Sequence, residues 1–367
     1  MKILIAIKNL SNAAGGGERV ACKVASSLAC KGHEITLLTF DPLCSKSFYP
    51  LDSRIKKINL HIGNSSSNSS IVDFIQRIYS LRINILKIKP HIVIGFMHSM
   101  YIPLSLGLIG IDIPVIASEH TVINYYKNKP IEFSLLLFAS LFIKKFTVIS
   151  QLIKDKYPFL IRKKMVIISN PIEIPNFKRF SKKSNERKII LNIGRLDHSK
   201  DHQTLIEAFS LIADNYSDWD MHIFGDGVLK NKIKNKIKTL GLSNRIFLKG
   251  ITKNIASVYM QSDVFVTSSR FEAFGLATAE AMSYKLPCVG FSDCSGTNEL
   301  INNEKTGLLI YDHEDRALGL ARGISRICSD DNLREILGNQ GHNFIISNYA
   351  EKKIIEFWEK LLYDNLN

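Results

Sequence analysis

The chain has 367 residues, of which 46% are hydrophobic, and a net charge of +14 from 48 Lys and Arg against 34 Asp and Glu. Because this length exceeds the size at which a single hydrophobic core keeps growing, two domains are expected. The six cysteines show no CxxC spacing, which disfavours a structural zinc site or a disulfide scaffold and favours a reduced cytosolic chain. They are Cys22, Cys30, Cys44, Cys288, Cys294 and Cys328.

The chain shows no secretory or membrane-spanning pattern. The apolar start at residues 3–7 has only the length of a strand and is followed by no cleavage pattern. The most apolar run, residues 135–143, is too short to span a bilayer. We therefore expect a soluble or peripheral protein.

The excess of positive over negative charge is confined to the first half of the chain. Residues 1–180 hold 24 Lys and Arg against 10 Asp and Glu, whereas residues 181–367 hold 24 of each kind. Ordinary variation in a Lys- and Ile-rich sequence is one explanation, and an anionic membrane surface or a nucleic acid is another. The sequence lacks the alternation of basic and aromatic residues found in RNA-binding domains, so a membrane partner is favoured over nucleic acid.

Both halves alternate short apolar β runs with amphipathic helical segments, which is typical of parallel βαβ units. The first predicted series of strands comprises residues 2–7, 34–40, 92–96, 114–118 and 146–150. The second series comprises residues 188–192, 221–224, 246–248, 264–267 and 287–291. We predict an α/β fold of two Rossmann-like domains that face a cleft, with ligands at the carboxyl ends of the strands.

Three further segments complete the predicted organisation. The polar and basic residues 176–187 are interpreted as the linker, and the Ser- and Asn-rich residues 63–70 as a flexible loop. A helix is predicted over residues 350–362 at the end of the chain. Its predicted apolar stripe consists of Ile354, Ile355, Phe357, Trp358, Leu361 and Leu362.

The most informative motif lies in residues 269–282, where Glu272 and Glu280 flank a Phe-Gly turn at a predicted strand-to-helix junction. With Glu280 about two turns into the helix, the carboxylates would be roughly 10 Å apart along its axis, too far for a shared acid/base pair. That separation suits the two ends of an extended ligand. The backbone N–H groups of Phe274, Gly275 and Leu276 between them begin a helix and favour an anion such as a diphosphate.

Arg195 and Lys200 follow the first strand of the second half, in the sequence GRLDHSK. Two cations five residues apart can hold one diphosphate from two sides, although an ordinary solvated loop is the alternative. In the first half, Gly15, Gly16 and Gly17 follow the first strand and precede a helix predicted over residues 19–29. Glycines there permit close approach to a phosphate or a sugar, but a simple turn is equally compatible.

Several other signals are weaker. His120, in the sequence SEH, ends a strand and is predicted to point toward the cleft, whereas His33 and His91 precede strands and are assigned to structure. The sequence GDG at residues 225–227 is adequately explained as a tight turn. Asp218 and Asp220 spell the D-x-D of metal-dependent sugar transferases but have no other ligand nearby, so we interpret them as a coincidence.

Taken together, GGGE, SEH, GRLDHSK, GDG and E-x7-E with the following LPCVGF resemble the retaining glycosyltransferases of the GT-B fold, in family 4. The resemblance covers nearly the whole chain. It implies an acceptor-binding domain at residues 1–175 with the tail helix 350–367, and a nucleotide-sugar-binding domain at residues 176–349. It also implies a bacterial enzyme of O-antigen or capsule assembly that needs neither a metal nor another cofactor.

The resemblance implies a role for each site residue. Glu280 would hold the ribose hydroxyls, Glu272 would contact the donor sugar, and Arg195 and Lys200 would stabilise the departing diphosphate. Phe274, Gly275 and Leu276 would face that diphosphate. Gly16 would line the cleft, Ile251 would meet the base through its backbone, and His120 would lie beside the reacting sugar. A UDP-sugar is the more frequent donor in the enzymes that the chain resembles.

An undecaprenyl-diphosphate-linked glycan is the expected acceptor. Residues 71–89 combine apolar side chains with Arg77, Arg82, Lys87 and Lys89, so this segment is expected at an anionic membrane surface or at a lipid-linked diphosphate. We therefore expect a cytoplasmic protein at the inner face of the cytoplasmic membrane. A GT-B sugar-nucleotide epimerase and a basic nucleic-acid-binding protein are the alternative functions, distinguishable by epimer formation from a UDP-sugar alone and by a salt-dependent gel shift.

Overall fold

The computed structural model describes residues 1–11, 15–63, 70–176, 186–312 and 314–366. Most of the predicted loop 63–70 and of the predicted linker 176–187 lies outside these ranges. The chain divides into two compact units, of which the first comprises Met1–Pro171 with Lys352–Asn367 and the second comprises Ile172–Glu351.

The first unit is a parallel sheet with helices between its strands. Its strands are β1 (Lys2–Ala6), β2 (Glu34–Thr39), β3 (Lys56–Asn59), β4 (Ile92–Phe96), β5 (Val115–Glu119), β6 (Lys145–Val148) and β7 (Met165–Ile167). Its helices are α1 (Gly16–Cys30), α2 (Ile71–Ile88), α3 (His98–Gly107), α4 (Pro130–Ala139), α5 (Gln151–Asp155) and α6 (Phe159–Arg162). The strand order is β3-β2-β1-β4-β5-β6-β7.

The second unit repeats this architecture. Its strands are β8 (Lys188–Ile193), β9 (Trp219–Phe224), β10 (Ile246–Gly250), β11 (Val264–Val266), β12 (Cys288–Phe291) and β13 (Leu308–Ile310), in the order β10-β9-β8-β11-β12-β13. Its helices are α7 (His202–Ser210), α8 (Lys230–Thr239), α9 (Ile255–Gln261), α10 (Leu276–Ser283), α11 (Ser295–Leu300), α12 (Arg316–Ser329) and α13 (Asp331–Tyr349). The last helix, α14 (Glu351–Tyr363), belongs to the first unit from Lys352 onward.

The predicted α/β fold is confirmed, because both sheets are parallel and both have a central point at which the strand order reverses. In the first sheet β1 pairs with β2 and β4, and in the second sheet β8 pairs with β9 and β11. Chain connections leave in opposite directions there, which opens a crevice at the carboxyl ends of the two adjacent strands. Each unit therefore has one place at which this fold usually binds a ligand.

The sequence prediction missed β3, β7 and β13. All three are edge strands of three or four residues. Such short runs do not show a strand pattern in the sequence, and β3 also begins with two lysines. The glycine-rich start of α1 was also placed too late, since the helix begins at Gly16 rather than at residue 19.

The tail helix α14 packs in the first unit, as predicted. Ile354, Ile355, Trp358, Leu361 and Leu362 are buried, and the Trp358 ring stacks on Phe96 of β4 with 6.0 Å between the ring centroids. The prediction was wrong for Phe357, whose side chain is 45% exposed. Adjacent helix positions point about 100° apart, so Phe357 falls outside the stripe that Trp358 occupies.

The two histidines assigned to structure have structural partners. His33 Nε2 lies 3.1 Å from Glu359 Oε1 in α14, and the backbone N–H of Lys2 donates to His91 Nδ1 at 2.8 Å. Both contacts hold the amino ends of central strands. Across the described ranges, no helix combines the length and the apolarity needed to cross a membrane.

We expect Trp358→Ala to lower the free energy of unfolding by about 3–5 kcal/mol, because it leaves a cavity between α14 and β4. The neighbouring Phe357→Ala removes a largely exposed ring and should cost under about 1 kcal/mol. Urea denaturation followed by circular dichroism measures both. Equal losses in the two variants would contradict the packing of the tail helix described above.

Candidate functional site

In the second unit, the loops that follow β8 and β11 meet at the point where the strand order reverses. The first loop carries Lys200 and the second carries Glu272. Lys200 Nζ forms an ion pair with Glu272 Oε1, and the two side chains are only 19% and 18% exposed. The sequence assigned both residues to one site, and the fold brings them into direct contact.

Further hydrogen bonds join the same two loops. The Ser268 hydroxyl donates to the Lys200 carbonyl oxygen at 2.8 Å, and the Arg270 N–H donates to the Ser199 carbonyl oxygen at 2.9 Å. The Ser269 hydroxyl donates to Glu272 Oε1 at 3.0 Å. The Glu272 carboxylate is thus held in one position by two donors on a single oxygen.

The start of α11, in the segment that follows β12, holds the backbone of Glu272 and was missed by the sequence analysis. The Ser295 hydroxyl and the Gly296 N–H each donate to the Glu272 carbonyl oxygen at 3.1 Å. A Cβ at Gly296 would lie 2.8 Å from backbone atoms of Phe274, so only glycine fits there. The Ser-Gly pair, four and five residues after the predicted strand 287–291, was the available signal.

The helix α10 begins at Leu276, with Gly275 as its N-cap at a φ of 84° and without a side-chain cap. The Phe274 ring is buried and packs edge-on against the Tyr349 ring, with 5.3 Å between the ring centroids. Only the backbone of Phe274 is therefore available to a ligand at this turn. Uncapped N–H groups at a helix start favour an anion.

Glu280 is the fifth residue of α10 and so lies about one and a half turns into the helix, slightly nearer its start than the two turns predicted. The Tyr259 hydroxyl donates to Glu280 Oε2 at 2.9 Å, and the Tyr259 ring stacks on Tyr284. Tyr259 is buried and was not recognised from the sequence, because nothing in the local pattern of α9 points to α10.

Arg195 and Ile251 lie at the same carboxyl edge and are exposed. The Arg195 side chain is 71% exposed and its Nη2 lies 3.1 Å from Asp197 Oδ2. Partial burial opposes ionisation of Asp197, but the Ser199 hydroxyl and the Arg195 charge outweigh it and lower the pKa of Asp197. Ile251 is 55% exposed and follows Gly250, which has a φ of 69°.

The GDG and D-x-D sequences have structural explanations. A Cβ at Gly225 would lie 1.9 Å from the Gly194 carbonyl oxygen, so this glycine permits the loops after β8 and β9 to pack. Asp220 accepts hydrogen bonds from Arg187 at 2.6 Å and Arg245 at 3.3 Å. Within the part of the chain that the structure describes, no three His, Cys, Asp or Glu side chains are grouped as a metal site would require.

In the first unit, Gly16 and His120 lie at the carboxyl edge of the sheet. Gly16 is exposed at the start of α1, and His120 directly follows β5. The His120 ring stacks on Phe96 at 5.5 Å, and its Nε2 lies 3.0 Å from the Ser118 hydroxyl. Burial lowers the pKa of His120 to about 4, so the imidazole is neutral at pH 7.

The turn that carries His120 is fixed by Glu119, a buried acid that the sequence analysis passed over. Glu119 accepts hydrogen bonds from the Tyr101 hydroxyl and, at 2.8 Å, from the Thr121 N–H. The Tyr126 hydroxyl lies 3.5 Å from the same carboxylate. Thr121 and Tyr126 follow Glu119 closely in the chain, whereas Tyr101 comes from α3, so the contact with Tyr101 is a product of the tertiary structure.

Comparison with known proteins shows two family models that together span most of the chain. The model described as "Glycosyltransferase Family 4" matches residues 14–174, and the one described as "Glycosyl transferases group 1" matches residues 173–344. The first match covers the unit that carries Gly16 and His120. The second covers the unit that carries Lys200, Glu272 and Glu280.

Curated relatives match along the full length. A Campylobacter jejuni protein is 26% identical over 100% of this chain and 99% of its own. Its name is GalNAc-alpha-(1->4)-GalNAc-alpha-(1->3)-diNAcBac-PP-undecaprenol alpha-1,4-N-acetyl-D-galactosaminyltransferase. An uncharacterized glycosyltransferase of Haemophilus influenzae is 24% identical over 98% of this chain and 99% of its own.

Solved structures show the same fold. Staphylococcus aureus TarM, in complex with fondaparinux, alpha-GlcNAc-glycerol and UDP, has a TM-score of 0.80 at 17% identity, covering 98% of this chain and 99% of its own. Anabaena HepE, in complex with UDP and glucose, has a TM-score of 0.79 at 16% identity, with 99% of each chain covered. The two family models and this fold identify the chain as a glycosyltransferase of family 4 with the GT-B fold.

Proposed function

We propose that this glycosyltransferase moves a hexosyl or N-acetylhexosaminyl group from a UDP-sugar to an undecaprenyl-diphosphate-linked glycan, with retention of anomeric configuration. The proposed setting is O-antigen- or capsule-type glycan assembly in a bacterium. The full-length Campylobacter relative, named for an undecaprenol-linked substrate, supports the acceptor class. UDP in the complexes of TarM and HepE supports the donor class.

The single observation that carries the proposal is the Lys200–Glu272 ion pair beside the uncapped start of α10. We propose that Glu280 binds the ribose hydroxyls, that Glu272 contacts the donor sugar, and that the diphosphate lies between them. Ile251 would bind the base through its backbone. A nucleotide-sugar has these groups in this order.

The proposed chemistry begins when the bond from the anomeric carbon to the diphosphate breaks and leaves negative charge on the phosphate. Arg195, Lys200 and the N–H groups at the start of α10 would stabilise that charge more strongly in the transition state than in the bound donor. These positive groups belong to the protein itself, and we propose that the reaction needs no metal and no other cofactor.

We propose that Glu272 positions the donor sugar and is not the nucleophile. Its Oε1 already accepts from Lys200 and Ser269, which stabilises the carboxylate and lowers its reactivity. Retention is then explained by attack of the acceptor hydroxyl on the same face from which the phosphate departs. The departing phosphate takes the hydroxyl proton. We further propose that the neutral imidazole of His120 contacts the reacting sugar.

We propose that the first unit rests on the inner face of the cytoplasmic membrane through α2. Six large apolar side chains of this helix are exposed: Ile71, Val72, Ile75, Tyr79, Ile83 and Leu86. A helix with one apolar and one charged face suits the interface of an anionic bilayer. No nucleic acid is part of this proposal.

Four cations of residues 71–89 were expected to bind an anionic surface or a diphosphate. Two of them, Arg77 and Arg82, instead contact other parts of the first unit. Arg77 is buried with its guanidinium 4.9 Å from the centroid of the Phe40 ring. Arg82 Nη1 donates to the carbonyl oxygens of Gly107 at 2.8 Å and Ile109 at 3.0 Å. Lys87 and Lys89 are exposed and are the two that we propose for anionic lipid.

Incubation with a UDP-N-acetylhexosamine and an undecaprenyl-diphosphate-linked glycan should yield a glycan one sugar longer, with an α linkage from an α donor. Mass spectrometry and proton NMR of the new anomeric signal measure this. GDP- and ADP-sugars serve as donor controls. Inversion at the anomeric carbon would contradict the mechanism, and product from none of the donors would contradict the function.

We expect Glu280→Gln to weaken UDP binding by about tenfold with little loss of kcat, because it removes a charge-assisted hydrogen bond to the ribose. Glu272→Gln should lower kcat by about a hundredfold while UDP binding stays within about twofold. Calorimetry with UDP and the transfer assay separate the two effects. Glu335→Gln, an exposed residue of α13, is the matched control, and the reverse pattern would overturn the assignment.

The double variant Ile75→Ser and Tyr79→Ser should lower partitioning to phosphatidylglycerol-containing vesicles by at least about tenfold, because both side chains lose apolar surface. Co-sedimentation at matched lipid concentration measures it. Ile336→Ser, at an exposed position of α13, should bind like the unaltered protein. Binding that does not depend on anionic lipid would contradict the proposed surface.

A further inference from the structure

The first unit has its own crevice at the reversal of strand order, between β1 and β4, and one histidine there has no assigned role. His98 begins α3 directly after β4 and the connecting residue Met97, which has a φ of 67°. A Cβ at Gly17 would lie 2.9 Å from Met97 Sδ, so the start of α1 contacts the same turn. His98 therefore lies where ligands bind in this fold.

The His98 imidazole lies against an aromatic and polar wall. Its ring centroid is 4.6 Å from that of Tyr125 and 5.6 Å from that of Tyr126, and its Nδ1 is 3.4 Å from the Thr121 hydroxyl. Its Nε2 makes no hydrogen bond with any residue that the structure describes. One ring nitrogen is thus oriented by the protein and the other is left for a ligand.

The chemistry of this wall suits a sugar ring. Burial lowers the pKa of His98 despite the nearby Glu119 charge, so the imidazole is neutral at pH 7 and offers one donor and one acceptor. A hydroxyl group has the same pair of capacities. The Tyr125 side chain is 37% exposed, so its ring provides apolar surface to a ligand. Binding sites for small molecules commonly combine such aromatic surface with a few polar groups.

The wall is held rigidly from behind. Glu119 binds the Tyr101 hydroxyl and the Thr121 N–H, and the Tyr157 hydroxyl donates to the Thr121 carbonyl oxygen at 3.0 Å. The Lys129 ammonium donates to the Tyr125 hydroxyl and lies 3.8 Å from the centroid of the Tyr125 ring, which holds this side chain in place. A binding site needs this kind of support to keep its groups in position.

We propose that His98, Thr121 and Tyr125 bind a sugar ring of the acceptor, His98 through the hydroxyls and Tyr125 through the apolar face of the ring. This inference rests on the proposed transferase function and adds to it the acceptor-binding residues. The donor residues Lys200, Glu272 and Glu280 belong to the second unit, so changes at the two places should have separate effects.

The test uses the full-length protein with the lipid-linked glycan and the UDP-sugar. His98→Ala and Tyr125→Ala should each raise the acceptor KM by about tenfold, while the UDP dissociation constant stays within about twofold. His98→Gln keeps a donor and an acceptor near the position of Nε2 and should recover part of the loss. Tyr125→Phe keeps the ring and should behave like the unaltered protein.

Tyr363→Ala is the matched control, because this tyrosine is exposed and belongs to the same unit. The centroid of its ring lies 6.2 Å from that of His33, which precedes the amino end of β2, whereas His98 follows the carboxyl end of β4. An unchanged acceptor KM in His98→Ala and Tyr125→Ala would overturn the inference and leave the transferase function standing. An equal rise in the UDP dissociation constant would also overturn it. If the unaltered protein bound no nucleotide-sugar, the proposed function would fail, and the inference with it.

Discussion

The candidate site depends on one interaction, the ion pair between Lys200 and Glu272. Because β8 and β11 are neighbours in the sheet, the loops that follow them are adjacent although the residues are 72 positions apart in the chain. The pair is mostly shielded from water, where an attraction between charges is stronger than at an open surface. Removing one partner would leave the other charge without compensation, so the two residues have to be considered as a unit.

Glycine makes this arrangement possible at two places where backbones approach closely. Gly225 passes next to the Gly194 carbonyl oxygen, and Gly296 lies against the backbone of Phe274. Neither glycine needs to touch a ligand for the site to depend on it. Both keep loops from different strands within hydrogen-bonding distance, and those loops carry the charged side chains.

The two units share a strand order, but the side chains around their crevices differ in chemistry. The second unit presents cations, a carboxylate pair and an uncapped helix start, which suit an anionic nucleotide-sugar. The first unit presents neutral imidazoles, hydroxyls and an exposed tyrosine ring, which suit uncharged hydroxyl groups. The same backbone topology therefore carries two different sets of side chains, because these come from the segments that follow the strands and not from the strands.

The sequence by itself determined the parallel α/β class, ten of the thirteen strands, the tail helix and the grouping of Glu272 with Lys200, because periodic apolar runs and loop motifs are local features. It did not reveal the edge strands β3, β7 and β13, because runs of three or four residues are too short to show a strand pattern. Only the tertiary structure revealed three hydrogen bonds: from Tyr259 to Glu280, from the Gly296 N–H to the Glu272 carbonyl oxygen, and from Tyr101 to Glu119. Each of these contacts joins segments that are distant in the chain, and packing alone decides which distant side chains meet.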